Sequence, residues 1–231
     1  MGVTVTLQRP TAILFDFDGV IVDSESLHHR AYEIALAPHG VASIPMEVYA
    51  DRFSNCGLGL EYCAQQVPGL DLGELKRQKD RLFREILETD ARLLPGVEEL
   101  LASLSGRPEV RTALLTGNVE AGARLKLGHF GIDRFFDFSL SCFGSDDADR
   151  YRLPALALER ARRHLGPDVA GRQLVLIGDS EHDVLCGKSV GARSVAVCTG
   201  WTPRAVLEAL RPDVLLDDLS DTARALDALL R

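Results

Sequence analysis

Short apolar runs alternate with longer amphipathic segments along most of the chain. The short runs are rich in β-branched or aromatic residues, which favours buried strands; they are Thr11–Phe15, Arg111–Leu115, Phe135–Leu140, Leu174–Ile177, Ser194–Val197 and Val214–Leu216. Between these runs, and after the last of them, apolar residues recur at helical spacing; these segments are Val97–Leu104, Val119–Phe130, Pro154–His164, Asp183–Val190, Pro203–Leu210 and Asp221–Leu230. This alternation predicts an α/β fold, a parallel sheet with helices on both faces.

One segment interrupts the alternation. From Asp23 to about Leu94 no strand-like run occurs, and helical spacing is found over His28–Ala37, Leu58–Val67 and Leu72–Leu87. The turn Leu94-Pro95-Gly96 marks the return to strands and helices. We therefore expect a Rossmann-like α/β core made of residues 1–22 and 95–231, and a helical domain over residues 23–94 inserted after the first strand.

Composition narrows the possible partners. The 231 residues are 46% hydrophobic, which is enough apolar material for a core, and their net charge is −8. An acidic chain without a run of about 20 apolar residues is a poor ligand for nucleic acid or membranes. Five cysteines without a C-x-x-C pair argue against a disulfide framework or a zinc site. With no signal-peptide pattern at the start, we expect a cytoplasmic protein.

Polar side chains follow three of the predicted strands. Asp16, Thr116 and Asp179 each end a strand, and the carboxyl ends of parallel strands meet at one crevice. Asp18 lies two residues after Asp16, so both carboxylates face the same way in an extended chain. Such a pair either raises one pKa or shares a cation. A solvated turn after the strand is the alternative interpretation.

Two further segments add candidate ligands. Asp183 lies one helical turn after Asp179, and oxygen donors of this kind suit Mg²⁺, although acids at a helix N-terminus also favour the helix dipole. Thr116-Gly117-Asn118 offers a hydroxyl, an amide and main-chain N–H groups at the start of a helix, which is the pattern of an anion site. A simple helix cap at Asn118 explains the same residues.

Three segments together resemble a known family. Asp16-Phe-Asp18-Gly-Val-Ile-Val-Asp23-Ser-Glu25, Leu-Thr116-Gly-Asn118 and Gly178-Asp179-Ser-Glu-His-Asp183 occur in this order. They resemble the first, second and fourth motifs of the haloacid dehalogenase-like hydrolases, in the branch of phosphoglycolate phosphatases and β-phosphoglucomutases. The resemblance spans almost the whole chain, and it implies that residues 23–94 form a helical cap.

The resemblance implies a role for each catalytic position. Asp16 would be the nucleophile that takes the phosphoryl group as an aspartyl phosphate. Asp18 would be the general acid–base, protonating the leaving oxygen and then activating water. Thr116, Gly117 and Asn118 would hold the phosphoryl oxygens.

The resemblance also implies a Mg²⁺ site. The Asp16 carboxylate, the Asp18 main-chain carbonyl and Asp179 would hold the ion. Asp183 would bind it through water or support its ligands.

The third motif of the family is where this sequence departs. The family usually has a lysine there, but no lysine occurs between Lys126 and Lys188. Arginine can replace that charge and can grip phosphate with two hydrogen bonds. Arg150 is the first choice for this role and Arg152 the alternative.

The residues therefore predict a Mg²⁺-dependent phosphatase acting on a small phosphorylated metabolite. A sugar-phosphate mutase is the nearest alternative, because it would use the same core with a more polar cap. The segment Ser54–Gly59, where a specificity loop is expected, carries no charge, and this favours hydrolysis. A dehalogenase would need neither Asp18 nor Mg²⁺. A phospho-receiver switch is the alternative of another class, but it would lack the inserted segment.

Overall fold

The computed structural model describes residues 12–53, 58–147 and 149–231. The predictions for Thr11 and for residues 54–57 therefore lie outside the described residues. The strands are β1 (Ala12–Phe15), β2 (Arg111–Thr116), β3 (Cys142–Phe143), β4 (Leu174–Gly178), β5 (Arg193–Val197) and β6 (Val214–Leu216). They form one parallel sheet in the order β3-β2-β1-β4-β5-β6. The predicted α/β fold is confirmed.

The chain divides into two compact units, which we call the sheet unit and the helical unit. The helical unit is Asp23–Arg92, and the sheet unit is the rest of the chain. The helical unit contains α1 (Glu25–Leu36), α2 (Met46–Phe53), α3 (Leu58–Gln66) and α4 (Leu72–Asp90). Helices α1 and α4 pack through a cluster of apolar side chains: Leu27, Ala31, Phe83, Ile86 and Leu87. That this unit is a cap stays a prediction.

Helix α2 has no counterpart in the sequence analysis. Among its described side chains only Tyr49 is buried, while Met46 is exposed. Its sequence does have apolar residues at helical spacing, and this signal was overlooked; they are Met46, Tyr49, Ala50 and Phe53.

The sheet unit contains the other six helices, whose ends lie within two residues of the predicted bounds. They are α5 (Val97–Ser105), α6 (Glu120–Phe130), α7 (Leu153–Leu165), α8 (Glu181–Ser189), α9 (Arg204–Ala209) and α10 (Thr222–Leu230). None of the helices in the described parts of the chain combines the length and the apolarity that a membrane span requires.

The predicted strand Phe135–Leu140 is wrong. Its first residue ends a 3₁₀ turn, and the strand at this edge is the two-residue β3. The reason lies at Asp137, whose carboxylate accepts hydrogen bonds from the main-chain N–H of Ser139 at 3.0 Å and from its hydroxyl at 2.6 Å. Such local side-chain bonds compete with an extended strand.

The register of the central strands determines where the site residues lie. Phe15, the last residue of β1, is paired with Leu114 of β2 and with Ile177 of β4. The Asp16 N–H still donates to the Ile177 carbonyl at 2.9 Å. The residues that follow β1, β2 and β4 therefore meet at the carboxyl edge of the sheet, as the parallel arrangement requires.

Candidate active site

Asp16 follows β1 and is almost fully buried. Its Oδ2 accepts a hydrogen bond from Arg150 Nη2 at 2.8 Å, and its Oδ1 accepts one from the Phe17 N–H at 2.7 Å. Burial raises the pKa of Asp16 to about 6, against the opposite effect of the Arg150 guanidinium and with added repulsion from Asp183. A bound cation would favour the charged carboxylate instead.

The structure distinguishes Arg150 from Arg152, the two candidates for the missing lysine. Both lie in a 3₁₀ turn that leads into α7. Arg150 donates to Asp16 and also to Asp183 Oδ1. Arg152 is 72% exposed and lies 3.6 Å from Asp147. Only Arg150 is therefore brought to the carboxylates at the strand ends.

Three buried carboxylates form a candidate metal centre. One oxygen each of Asp16, Asp179 and Asp183 lies within 4.8 Å of the others. Asp183 is held in place at the start of α8 by Ser180, whose hydroxyl donates to Asp183 Oδ2 at 2.6 Å and whose N–H donates to the same oxygen at 3.0 Å. This reciprocal cap keeps the other oxygen of Asp183 directed at the cluster.

Asp179 lies between two glycines that leave no room for a side chain. Gly19 has a φ of +76°, and a Cβ there would stand 2.6 Å from the Asp179 carboxylate. A Cβ on Gly200 would stand 1.7 Å from Asp179 Oδ2. The close approach of both main-chain segments fixes the position of this carboxylate.

These donors fit Mg²⁺. The three carboxylates offer only oxygen atoms, which Mg²⁺ prefers as ligands. They would occupy some of the six positions of an octahedral ion and leave the others for water and substrate oxygens. Arg150 contacts two of the three carboxylates, those of Asp16 and Asp183.

Asp18 is held by two neighbours, Asn118 in the turn after β2 and Lys126 in α6. Asn118 Nδ2 donates to Asp18 Oδ2 at 2.5 Å, and Lys126 Nζ lies 2.6 Å from Asp18 Oδ1. Lys126 also donates to Asn118 Oδ1 at 3.2 Å. The predicted acid–base is thus paired with a lysine that the sequence analysis did not select.

Thr116 and Gly117 lie beside the same carboxylates. Thr116 Oγ1 accepts hydrogen bonds from the Asn118 N–H at 3.2 Å and from Asn118 Nδ2 at 3.0 Å. Its own hydroxyl proton therefore points away from Asn118. A Cβ on Gly117 would stand 4.0 Å from Arg150 Nη1. The structure brings the predicted Thr116-Gly117-Asn118 segment to the site, with the Asn118 side chain directed at Asp18.

Lys126 was missed because a lysine in an amphipathic helix usually lies on its exposed face. The buried residues of α6 are Ala123, Lys126 and Leu127. They stand three and four residues apart, which places Lys126 on the apolar stripe of the helix. Its position on that stripe was the available signal.

Known proteins resemble this chain over most of its length. Residues 13–197 match the model of the haloacid dehalogenase-like hydrolase family. IndB of Dickeya dadantii, a protein named as a phosphatase, is 30% identical over 95% of this chain and 94% of its own. A phosphoglycolate phosphatase of Agrobacterium fabrum is 28% identical over 94% of this chain and 92% of its own.

Solved structures share the fold. The structure of CbbY from Rhodobacter sphaeroides in complex with phosphate has a TM-score of 0.74 and 26% identity, and the match covers 92% of this chain and 96% of that one. A protein from Haemophilus somnus has a TM-score of 0.80 over 96% of this chain and 99% of its own, but its 22% identity shows the fold alone.

Proposed function

The chain belongs to the haloacid dehalogenase-like hydrolase family, and from this premise we propose that it is a Mg²⁺-dependent phosphatase that forms an aspartyl phosphate on Asp16. One observation carries the proposal. Asp16 is buried between a guanidinium and two further carboxylates, while Asp18 is held two residues away by Lys126 and Asn118. Two carboxylates in such different surroundings suit two different roles.

We assign the chemical steps to the two carboxylates. The Asp16 carboxylate attacks phosphorus, and the bond to the leaving oxygen breaks while Asp18 gives that oxygen a proton. Asp18 then takes a proton from a water molecule, whose oxygen attacks the phosphorus and releases Asp16. Splitting the displacement in this way replaces one difficult step with two easier ones.

The remaining residues would bind and orient the phosphoryl group. Thr116 and the main chain of Gly117 and Asn118 would hold its oxygens at the start of α6. Arg150 would add positive charge from the side of Asp16.

The carboxylates of Asp16 and Asp179, the main-chain carbonyl of Asp18 and, directly or through water, Asp183 would hold Mg²⁺. When bound, the ion would neutralise charge on the phosphoryl group.

The substrate is proposed to be a small phosphomonoester, such as phosphoglycolate or a sugar phosphate. The similarity to a phosphoglycolate phosphatase supports this class, and the net charge of −8 makes nucleic acid and anionic membranes poor partners. We propose that the helical unit is the cap that selects among such metabolites, and that the protein acts in the cytoplasm.

Release of phosphate from an aryl phosphate tests the proposal. Activity is expected with Mg²⁺, is expected to disappear with EDTA and to return when excess Mg²⁺ is added. The variant Asp16→Asn is expected to be inactive while it folds normally. A panel of phosphorylated metabolites then identifies the substrate class, and isomerisation of a hexose 1-phosphate without phosphate release would favour a mutase. Activity that survives Asp16→Asn or EDTA contradicts the mechanism.

A further inference from the structure

We propose that Lys126 is a positioning residue, which fixes the Asp18 carboxylate for its proton transfers together with Asn118. The inference rests on the proposed function, because a reaction in which Asp18 handles a proton requires that carboxylate to be held in place. In this proposal Lys126 acts through Asp18 and does not itself contact the substrate.

The first argument is burial. The side chain of Lys126 is only 3% exposed, although lysine can normally extend its long stem to keep the ammonium in water. A buried charge is costly unless it is paired. This ammonium lies 2.6 Å from the carboxylate of Asp18, the candidate acid–base. The ion pair therefore offsets part of the hydration that the ammonium loses on burial.

The second argument is the geometry of the hydrogen bonds. Lys126 donates to Asp18 Oδ1 and to Asn118 Oδ1, while Asn118 Nδ2 donates to Asp18 Oδ2. The three side chains therefore form a closed ring of hydrogen bonds. Both oxygens of Asp18 are held, so the plane of the carboxylate cannot turn without breaking one of these bonds.

The third argument is the support of the lysine itself. The ring of Phe17 lies 4.9 Å from the ammonium, a cation–π contact made by the residue between the two catalytic carboxylates. Lys126 is attached to α6 beside the buried Ala123 and Leu127. The position of the ammonium is thus set by α6 and by Phe17. This matters because a small displacement of a group that transfers a proton lowers the reaction rate.

The two cations of the site serve different carboxylates. Arg150 contacts Asp16 and Asp183, whereas Lys126 contacts Asp18. Loss of Lys126 should consequently affect proton transfer and leave substrate binding largely intact. This separation makes the proposal testable by kinetics.

The test compares the variants Lys126→Met and Lys126→Ala with the native protein in saturating Mg²⁺, using release of phosphate from an aryl phosphate. We expect kcat to fall about 100-fold, which is the lower end of what a general acid–base contributes, with KM changed less than about 3-fold. Arg124→Met, on the exposed side of the same helix, is the matched control and should retain kcat. Circular dichroism verifies the fold of each variant.

Chemical rescue separates charge from volume. Propylamine, added to Lys126→Ala, should enter the space left by the side chain and raise kcat about 10-fold or more, a fraction of the proton-transfer contribution. Propan-1-ol, of similar size but without the charge, should not. Equal rescue by both molecules, or a folded Lys126→Met variant with native kcat, would show that the lysine acts only through packing and would overturn the inference.

The same assays keep the inference apart from the proposed function. If Asp16→Asn is inactive but Lys126→Met is as active as the native protein, the phosphatase proposal stands and the role of Lys126 falls. If the native protein releases no phosphate with Mg²⁺ present, or Asp16→Asn remains active, the proposed function falls and the role of Lys126 falls with it.

Discussion

The sheet unit and the helical unit each bury a lysine, but the two lysines have different neighbours. Lys126 in the sheet unit contacts the Asp18 carboxylate at 2.6 Å. Lys79 in the helical unit lies over the rings of Tyr32 and Phe83, 5.2 and 5.4 Å from their centres. Lys79 Nζ also lies 3.3 Å from the carboxylate of Asp80, which is half exposed.

This difference separates the two units by their chemistry. In the sheet unit, buried charges meet opposite charges at the strand ends, where Arg150 contacts Asp16 and Asp183. In the helical unit, burial raises the pKa of Tyr32 to about 12 and that of Cys63 to about 11. All of the proposed catalytic, phosphate-binding and metal-binding residues lie in the sheet unit.

The largest loss of activity is expected when Arg150 of the sheet unit is replaced. Arg150→Met removes the cation shared by two buried carboxylates, so we expect kcat/KM to fall about 1000-fold, as for loss of a main electrostatic contact. Arg152→Met is the control, because that side chain is exposed, and it should stay within about 3-fold of native since surface charges contribute little. Similar losses in both variants would remove the distinction between the two arginines.

A second prediction concerns the space around Asp179. Gly200→Ala would place a Cβ 1.7 Å from Asp179 Oδ2, so this carboxylate has to move. We expect the Mg²⁺ concentration for half-maximal activity to rise about 10- to 100-fold, as when the support of a metal ligand is lost. Gly122→Ala, where the nearest atom would be at 3.6 Å, should leave the Mg²⁺ dependence unchanged. An unchanged dependence in Gly200→Ala would argue against Asp179 as a ligand.

The two lysines allow a direct comparison of stability. Lys126→Met removes the buried ammonium that contacts the partly exposed Asp18 carboxylate, so the free energy of unfolding should fall by about 2 kcal/mol, the size of a hydrogen bond to a charged group. Lys79→Met puts an apolar chain among aromatic rings and should change that free energy by less than about 1 kcal/mol. Urea unfolding in EDTA measures both. Equal losses would show that the two units do not differ in how they bury charge.

The strand-end carboxylates could be predicted from the sequence, whereas their cations were predicted only in part. Asp16, Thr116 and Asp179 follow apolar strands whose type and place are clear from composition and length, so their meeting at one edge follows from parallel topology. Arg150 was found from its place before α7. Lys126 was not, because its burial depends on a tertiary contact with Asp18, which helical spacing alone does not show.

Two elements, the strand at the β3 edge and helix α2, were not predicted correctly from the sequence. The apolar residues around Phe136 suggested a strand, but the Asp137 carboxylate turns the chain before β3. Helix α2 was overlooked although Met46, Tyr49 and Phe53 stand at helical spacing, because the segment has only eight residues. Neither difference alters strands β1, β2 and β4, whose ends carry the candidate site.

The smallest effect is expected from an ion pair of the sheet unit outside the site. Arg160 contacts Asp146 with both terminal nitrogens, at 2.8 and 3.1 Å. Burial raises the pKa of Asp146, but the hydrogen bonds from Arg160 and from the Phe143 N–H outweigh burial, so the pKa is lowered overall. A carboxyl with a lowered pKa stabilises the fold above its unfolded pKa, and this stabilisation is lost as the pH falls through the folded value.

Asp146→Asn should therefore lower the free energy of unfolding by about 1 kcal/mol at pH 7, the size of one net hydrogen bond. The difference from the native protein should stay constant above about pH 5 and shrink as the pH falls below the unfolded pKa of about 4, where the unfolded chain takes up a proton before the native carboxyl does. Urea unfolding at several pH values measures it, with the exposed Asp133→Asn as control. A difference that grows as the pH falls would contradict the lowered pKa.

The most direct measurement of the central claim is trapping of the phosphorylated enzyme. The protein is mixed with an aryl phosphate and Mg²⁺, quenched in acid within one turnover and digested, and the peptides are analysed by mass spectrometry. The account predicts one added phosphoryl group on the peptide that contains Asp16, absent in Asp16→Asn and absent when EDTA replaces Mg²⁺. Turnover without that modification, or a phosphoryl group on another residue, would contradict the account.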